Sequence, residues 1–263
     1  MISVITPVYN GEKFIESCIK IVIDQNCPDV EHVIMDGGST DGTVDIIKQY
    51  AEKYPHIRWV SEKDKGQSDA MNKGIAMAHG DIIGMLNVDD FYEPNILGKI
   101  SDTFKGLPEP SLVVGNCNIL GEEGHLKYVN KPNNLKVTDL LTYRSPFPLN
   151  PAAYFYHKSL HKKIGLYKVD EHYLLDFDFI IKAVQAAKVI YIDKLLGNHQ
   201  QIAGTKTVES LKSGQHLNKI ERLLEEHRNK LPLLKKLKVR GYQTFSKFRK
   251  YLTKKGLYPT SKP

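Results

Sequence analysis

Cysteine is scarce in this chain: Cys18, Cys27 and Cys117 are the only three in 263 residues, and none forms a C-x-x-C pair. That excludes a disulfide framework and gives no thiolate cluster for zinc. No apolar run approaches the roughly 20 residues that a membrane-spanning helix needs, and the opening Met1–Thr6 lacks the basic stretch, apolar core and cleavage site of a secretion signal. A cytoplasmic chain is therefore expected. Glycine (19) and proline (13) are too few for a fibrous or low-complexity protein. Acidic residues are missing altogether from Arg228 to Pro263, where 12 Lys or Arg occur, whereas the preceding 227 residues carry 25 basic and 30 acidic groups, a net −5. A mildly acidic body, 1–227, thus carries a basic tail, 228–263.

What is present is an alternation. Residues 2–6 form an apolar run closed by Pro7 and Asn10, and the spacing of Phe14, Ile15, Cys18, Ile19, Val22 and Ile23 predicts a helix from Glu12 to Asp24. Strands follow at 31–35, 57–61 and 82–86, with helices near 41–53, 68–78 and 94–105. Such βα repetition implies right-handed crossovers and a mostly parallel sheet flanked by helices, a Rossmann-like α/β architecture. After a strand at 111–116 the pattern loosens. A hairpin tip at 121–124, a proline-rich stretch at 145–151, a strand at 152–157, a helix at 177–187, a strand at 189–192 and a polar helix at 208–229 are expected. The body reads as one domain with halves of about 1–116 and 117–227.

In open α/β sheets ligands bind beyond the carboxyl ends of the strands, and here those ends are polar: Thr6-Pro-Val-Tyr-Asn10, Asp36-Gly-Gly-Ser-Thr-Asp-Gly-Thr43, Glu62-Lys-Asp-Lys-Gly66 and Asn87-Val-Asp-Asp90. Neither the P-loop pattern nor the glycine order of a dinucleotide fingerprint is present. Asp36 suits hydrogen bonds from a base or ribose; the alternative is a capped turn with no ligand, Thr40 or Asp41 capping the next helix. The oxygen-bearing cluster at 87–90 suits a hard cation, Mn²⁺ or Mg²⁺, which takes one or two carboxylates plus substrate phosphates. The alternative for Asp90 is a helix cap before Glu93-Pro94.

Taken in order, the Thr6 and Asp36 segments, Asp64-Lys-Gly-Gln-Ser-Asp-Ala-Met-Asn-Lys-Gly74 and Gly80-Asp-Ile-Ile-Gly-Met-Leu-Asn-Val-Asp-Asp90 resemble the family 2 glycosyltransferases of the GT-A fold, among them bacterial enzymes of surface-polysaccharide and O-antigen synthesis. The resemblance implies a nucleotide-sugar donor, with UDP favoured, and a glycan or lipid-linked acceptor. It places Pro7, Tyr9, Asn10 and Glu12 around the base, Asp36 on the base or ribose, and Asp64 and Asp69 at the nucleotide. Asn87-Val88-Asp89 matches the Asp-x-Asp signature, with Asp89 as metal ligand and Asn at the first acidic position. Asp176, in Leu175-Asp-Phe-Asp-Phe179, falls where relatives carry the base that deprotonates the acceptor in an inverting displacement; the alternative is a helix cap, with Asp178 complementing the dipole. His199 falls where relatives hold metal or diphosphate, against the alternative of a surface histidine. The loop 145–151 would shape the acceptor cleft or merely connect.

In the tail Leu234, Leu237, Phe245, Phe248 and Leu252 fall close to one helical stripe, flanked by Lys235, Lys236, Lys238, Arg240, Lys247, Arg249 and Lys250. A basic amphipathic segment of this kind suits an anionic membrane surface and peripheral attachment; a helix docked on the body and nucleic-acid binding are its alternatives, the last disfavoured. For the whole chain, a nucleotide-sugar-binding protein without transfer activity is the rival to the enzyme reading.

Overall fold

The computed structural model describes residues 1–121, 123–170, 174–202 and 215–254, and in the last segment the side chains of 218–246. Four parallel strands, β1 (Ile2–Val8), β2 (Val30–Asp36), β3 (Ile57–Ser61) and β4 (Ile82–Met85), lie in the order β3-β2-β1-β4. The crossovers are α1 (Glu12–Ile23), α2 (Thr43–Lys53) and α3 (Gln67–Met77). β1 is buried along its whole length because helices cover both its faces. Val8, Ile15, Ile19, Ile34 and Ile47 pack beneath α1 and α2, whereas Ile5, Val33, Met35, Met71 and Ile75 pack beneath α3 on the other face. Gly74 lets α3 come this close: a Cβ there would stand 2.4 Å from the Ile5 side chain.

Beyond β4 the sheet becomes mixed. A two-residue strand β5 (Phe91–Tyr92) leads into α4 (Ile96–Phe104), and the long β6 (Ser111–Leu120) pairs with the hairpin strand β7 (Leu126–Asn130). After a short helix α5 (Val137–Leu140), β8 (Tyr154–His157) inserts antiparallel between β4 and β6. Helices α6 (His161–Ile164) and α7 (Leu175–Ala186) follow, and β9 (Lys188–Gln200) runs parallel to β6 with β5 antiparallel at its other edge. The expectation of a mostly parallel sheet thus describes the first half, while β5, β7 and β8 make the second half mixed. The strand expected at 189–192 is the start of a thirteen-residue strand, because β6 offers a partner out to Leu120. Of the polar helix expected at 208–229, residues 215–230 form α8 (Gln215–Lys230); 208–214 lie outside the described residues, as does Glu122 of the hairpin tip.

Two local expectations are corrected. Asp90 does not cap α4: that helix starts after Asn95, and the amides of Ile96 and Leu97 donate instead to Gln25 Oε1 on the α1 side, at 2.8 and 3.2 Å. Asp178 does more than complement the α7 dipole. Buried on the inner face of α7, it accepts hydrogen bonds from Lys182 and from His227 of α8, the latter at 2.8 Å, and so fastens α8 to α7. Burial opposes its charge, yet the bonds from His227 and Lys182 outweigh burial and hold its pKa at about 2. A folded-state pKa below the unfolded one gives stability that is present above about pH 4 and lost as pH falls through about 2. His227→Ala is expected to cost about 1–3 kcal/mol by leaving a buried acceptor short of a partner, read as a lower urea midpoint at neutral pH.

Candidate active site

At the carboxyl ends of β1, β3 and β4 a cavity of about 550 Å³ opens, walled by Pro7, Tyr9, Asn10, Asp64, Asn87, Val88 and Asp89 and closed on one side by His199 from β9. It gathers eight of the residues singled out in the sequence. Several are held there by their neighbours. Asn10, in the left-handed region at φ 50°, accepts from the Thr40 amide at 2.9 Å while its own amide donates to Ser39 Oγ, so the loops after β1 and β2 are tied together. Tyr9 is 64% exposed at the mouth, a free aromatic face of the kind on which a base stacks. Asp64 accepts from the Gly66 amide at 2.8 Å, and Gly37 leaves room for it, since a Cβ there would lie 2.6 Å from Asp64 Oδ2. Gln67 at the start of α3 donates to Asn87 Oδ1 at 2.9 Å and so orients the first signature residue.

Three expected contacts lie off the wall. Asp36 is buried, and its carboxylate is used within its own turn, accepting from the amides of Gly38 and Ser39 and the hydroxyls of Ser39 and Ser61 at 2.5–3.1 Å. These bonds make a capped turn and shape the loop that Asn10 grips. Glu12 sits outside the cavity beside Gly42, and Asp69 accepts from the Lys65 amide at 3.1 Å and lies 3.5 Å from Lys73. Asp41, rather than Thr40, serves the helix starts, accepting from the Thr43 amide at 3.1 Å and the Glu12 amide at 3.1 Å.

Asp90, expected in the cation-binding cluster or as a helix cap, turns out to organise the site from beneath. Almost fully buried, it accepts from Asn87 at 2.8 Å, from Asn150 at 2.7 Å and from the His199 ring at 2.9 Å. A carboxylate can only accept, so His199 Nδ1 carries the proton, and in the neutral ring Nε2, which has no partner among the described residues, keeps its lone pair. Burial disfavours a charged ring, but the hydrogen bond and charge of Asp90 prevail and raise the His199 pKa. The Asp89 carboxylate accepts a hydrogen bond from its own backbone amide. Burial, with the charge of Asp90 beside it, raises its pKa.

Among the described residues no Lys or Arg walls the cavity, and the charge-bearing groups that a diphosphate meets there are the carboxylates of Asp64 and Asp89 and the imidazole of His199. Among the described residues no three His, Cys, Asp or Glu side chains converge into a self-sufficient metal site. The donor set that exists is an uncompensated carboxylate, Asp89, and an imidazole whose other nitrogen is anchored by Asp90. It suits a divalent cation that completes its coordination with substrate phosphate oxygens.

Asp176 lies on the neighbouring side of the same sheet end. It is not the cap of α7: Leu174 holds that position without a side-chain bond, and Asp176, in the first turn, accepts from Tyr154 at 2.6 Å. Burial raises its pKa to about 6, the Tyr154 bond pulls the other way, and the nearby Asp90 charge adds to the rise. The loop 145–151 is more than a connector. Phe147 packs on Phe177 at a ring separation of 4.6 Å, and Asn150 reaches Asp90. One short segment, from Asn150 to Tyr154 in β8, therefore anchors both Asp90 and Asp176.

The family model for glycosyl transferase family 2 matches residues 3–164. The chain belongs to glycosyl transferase family 2. It is 29% identical over 209 residues to a PGL/p-HBAD biosynthesis glycosyltransferase of Mycobacterium bovis, covering 78% of each chain. It is 35% identical over 127 residues to chondroitin synthase of Escherichia coli, a match that takes in 48% of this chain and 18% of that one. The chain thus spans less than a fifth of that relative. Among solved structures it is similar to S. aureus TarS 1-349 in complex with UDP-GlcNAc, at TM-score 0.70 and 20% identity over 88% of this chain and 67% of that one. It is similar also to the mannosyltransferase PcManGT from Pyrobaculum calidifontis in complex with GDP-Man and Mn²⁺, at TM-score 0.59 and 16% identity over 97% and 83% of the two chains. These likenesses define a GT-A fold, the architecture expected from the four strand-end motifs.

Proposed function

We propose that the chain is an inverting glycosyltransferase that moves a sugar from a nucleotide-diphosphate sugar, a UDP-sugar, to a hydroxyl of a glycan or lipid-linked saccharide in cell-surface polysaccharide synthesis. One observation carries the reading: a carboxylate held by Tyr154 with its pKa near 6 stands beside a nucleotide-sized cavity whose charged walls, among the described residues, are acidic and imidazole groups. In this reading Tyr9 and Pro7 receive the base and Asp64 the ribose or base edge. Asp89 and the Nε2 of His199 would hold Mn²⁺ or Mg²⁺. When bound, the cation supplies charge neutralisation for the departing diphosphate. Asp176 takes the proton of the acceptor hydroxyl as its oxygen bonds to the anomeric carbon and the carbon–oxygen bond to the diphosphate breaks. The nucleoside diphosphate leaves on the opposite face, giving inversion. The half-buried setting keeps the base poorly solvated and thus basic enough to act near neutral pH.

Titration calorimetry with UDP, GDP and dTDP, each in Mn²⁺ and in EDTA, tests the donor half. The expected result is Mn²⁺-dependent binding of UDP at least ten-fold tighter than of GDP or dTDP, a margin of about 1.4 kcal/mol. Absence of binding to all three by the folded chain would remove the donor-site assignment. Nucleotide binding without release of UDP from any UDP-sugar, across a panel of saccharide acceptors, would favour the binding-protein alternative.

A further inference from the structure

The basic tail forms α9 (Leu233–Lys254), and α9 has two unlike faces. Val239, 1% exposed, pins it to the body, and Tyr242 lies under the guanidinium of Arg144 at 3.9 Å. Opposite this seam Leu233, Leu234, Leu237 and Phe245 stand out from the protein, Leu234 being 82% exposed. At about 100° per residue these four fill an arc of about 120° centred roughly across the helix from Val239. The docked-helix alternative therefore accounts for one face of the segment and leaves the other unexplained. The side chains of Lys247, Phe248, Arg249, Lys250 and Leu252 lie outside the described residues.

Beside this face is a second cavity, of about 560 Å³, remote from the nucleotide cavity in the residues that wall it. Val184 of α7 and Val189 of β9 form aliphatic walls, and Lys136, Lys235 and Lys238 stand around it. Among the described residues none of these lysines has a carboxylate within ion-pair distance. A hollow with apolar walls and three uncompensated cations, next to a row of exposed leucines, matches a molecule with an anionic head and an apolar body.

We propose that this face of α9 and the cavity beside it dock on an anionic phospholipid bilayer, Leu233, Leu234, Leu237 and Phe245 entering the interface while Lys136, Lys235 and Lys238 engage headgroup phosphates. Charge complementarity selects this occupant. A second copy would bring the same lysines against themselves, and a nucleic acid would satisfy the lysines while leaving the leucines in water; a bilayer takes both. The proposal does not depend on the transfer reaction.

Flotation of the full chain with vesicles tests it. Vesicles of phosphatidylcholine containing phosphatidylglycerol are expected to carry the chain upward at least ten-fold more than pure phosphatidylcholine. The pairs Leu234→Glu with Leu237→Glu, and Lys235→Gln with Lys238→Gln, are each expected to lower the bound fraction at least ten-fold. Nucleotide binding measured by calorimetry should stay at the parent level, which shows that each variant is folded. No flotation with anionic vesicles overturns the proposal. So does a leucine variant that floats as the parent does, because the apolar face then takes no part. Displacement of the vesicles by single-stranded RNA, with RNA affinity unchanged in the leucine variant, would instead assign the face to nucleic acid.

Discussion

Replacing Asp176 by Asn lowers kcat by about 10²- to 10⁴-fold in the expected outcome, with UDP affinity unchanged within about two-fold. The substitution keeps the shape of the side chain and leaves an oxygen to accept the Tyr154 hydroxyl, so it removes the capacity to take a proton and little else. Asp176 does not wall the nucleotide cavity, which is why the loss should fall on turnover and spare donor binding. The pH dependence carries the sign. A base acts in its charged form, and burial has lifted this carboxyl to about 6; kcat should therefore be level above about pH 7 and fall about ten-fold per unit well below about pH 6. Tyr154→Phe deletes the one hydrogen bond that favours the charged form, so the acid limb should move to higher pH while the plateau is largely kept. Initial rates of nucleoside diphosphate release, taken from about pH 5 to about pH 8 for the three proteins, decide the matter. An Asp176→Asn enzyme that turns over like the parent would place the base elsewhere.

The first half of this fold was legible because each of its elements carries its own signal. The strands from β1 to β4 are apolar runs ended by Pro, Gly, Asp or Asn, and β1, β2 and β4 are buried at every position. The crossovers are forced to one hand. The strand-end motifs then had to meet, and seven of the residues singled out in them do line one cavity, joined by His199 from β9. Beyond Asn116 the signals are relational. β5 is two residues long and exists only through its pairing with β9; the part of β9 beyond Ile192, where Asp193, Lys194 and Asn198 interrupt the apolar run, is strand because β6 extends beside it. α4 takes its N-terminal acceptor from Gln25, 71 residues before Ile96.

The site shows the same division. Asp36 was read as a ligand contact because Asp at a strand end accepts hydrogen bonds, but the chain itself supplies the donors, four of them, from its own turn and from β3. A single sequence cannot say whether a carboxylate's lone pairs will be spent on backbone or on ligand. Asp90 was open between a cation-binding cluster and a helix cap for the converse reason: its partners, Asn150 and His199, are 60 and 109 residues away along the chain and join it only once β8 and β9 are in place. Tyr154 is likewise invisible as a partner of Asp176 until β8 inserts between β4 and β6.

Asp89 yields the second large effect, and it reverses sign with the metal. In Mn²⁺, Asp89→Asn is expected to weaken UDP binding by well over ten-fold, about 1.4 kcal/mol for each factor of ten, because the cation loses the one carboxylate that is free to ligate it. In EDTA the same variant should bind UDP no worse than the parent. Without a cation the parent cavity sets the charges of Asp64 and Asp89 against the diphosphate and, among the described residues, offers no Lys or Arg, so removing one charge relieves repulsion. A variant that had merely damaged the pocket would lose affinity in both buffers, and this crossing therefore separates a ligand's role from a structural one. Asp90→Asn probes the layer beneath. It keeps Asp89 but exchanges the acceptor that fixes His199 Nδ1 for an amide that can turn either way. The expected cost is about 10- to 100-fold in Mn²⁺-dependent affinity, the range seen when a histidine ligand loses its orienting carboxylate. Calorimetry of the parent and both variants with UDP, run in Mn²⁺ and in EDTA, reads all of these effects. Equal affinities in the two buffers for the parent chain would dismiss the cation from donor binding, leaving Asp89 and His199 to some other role at the diphosphate.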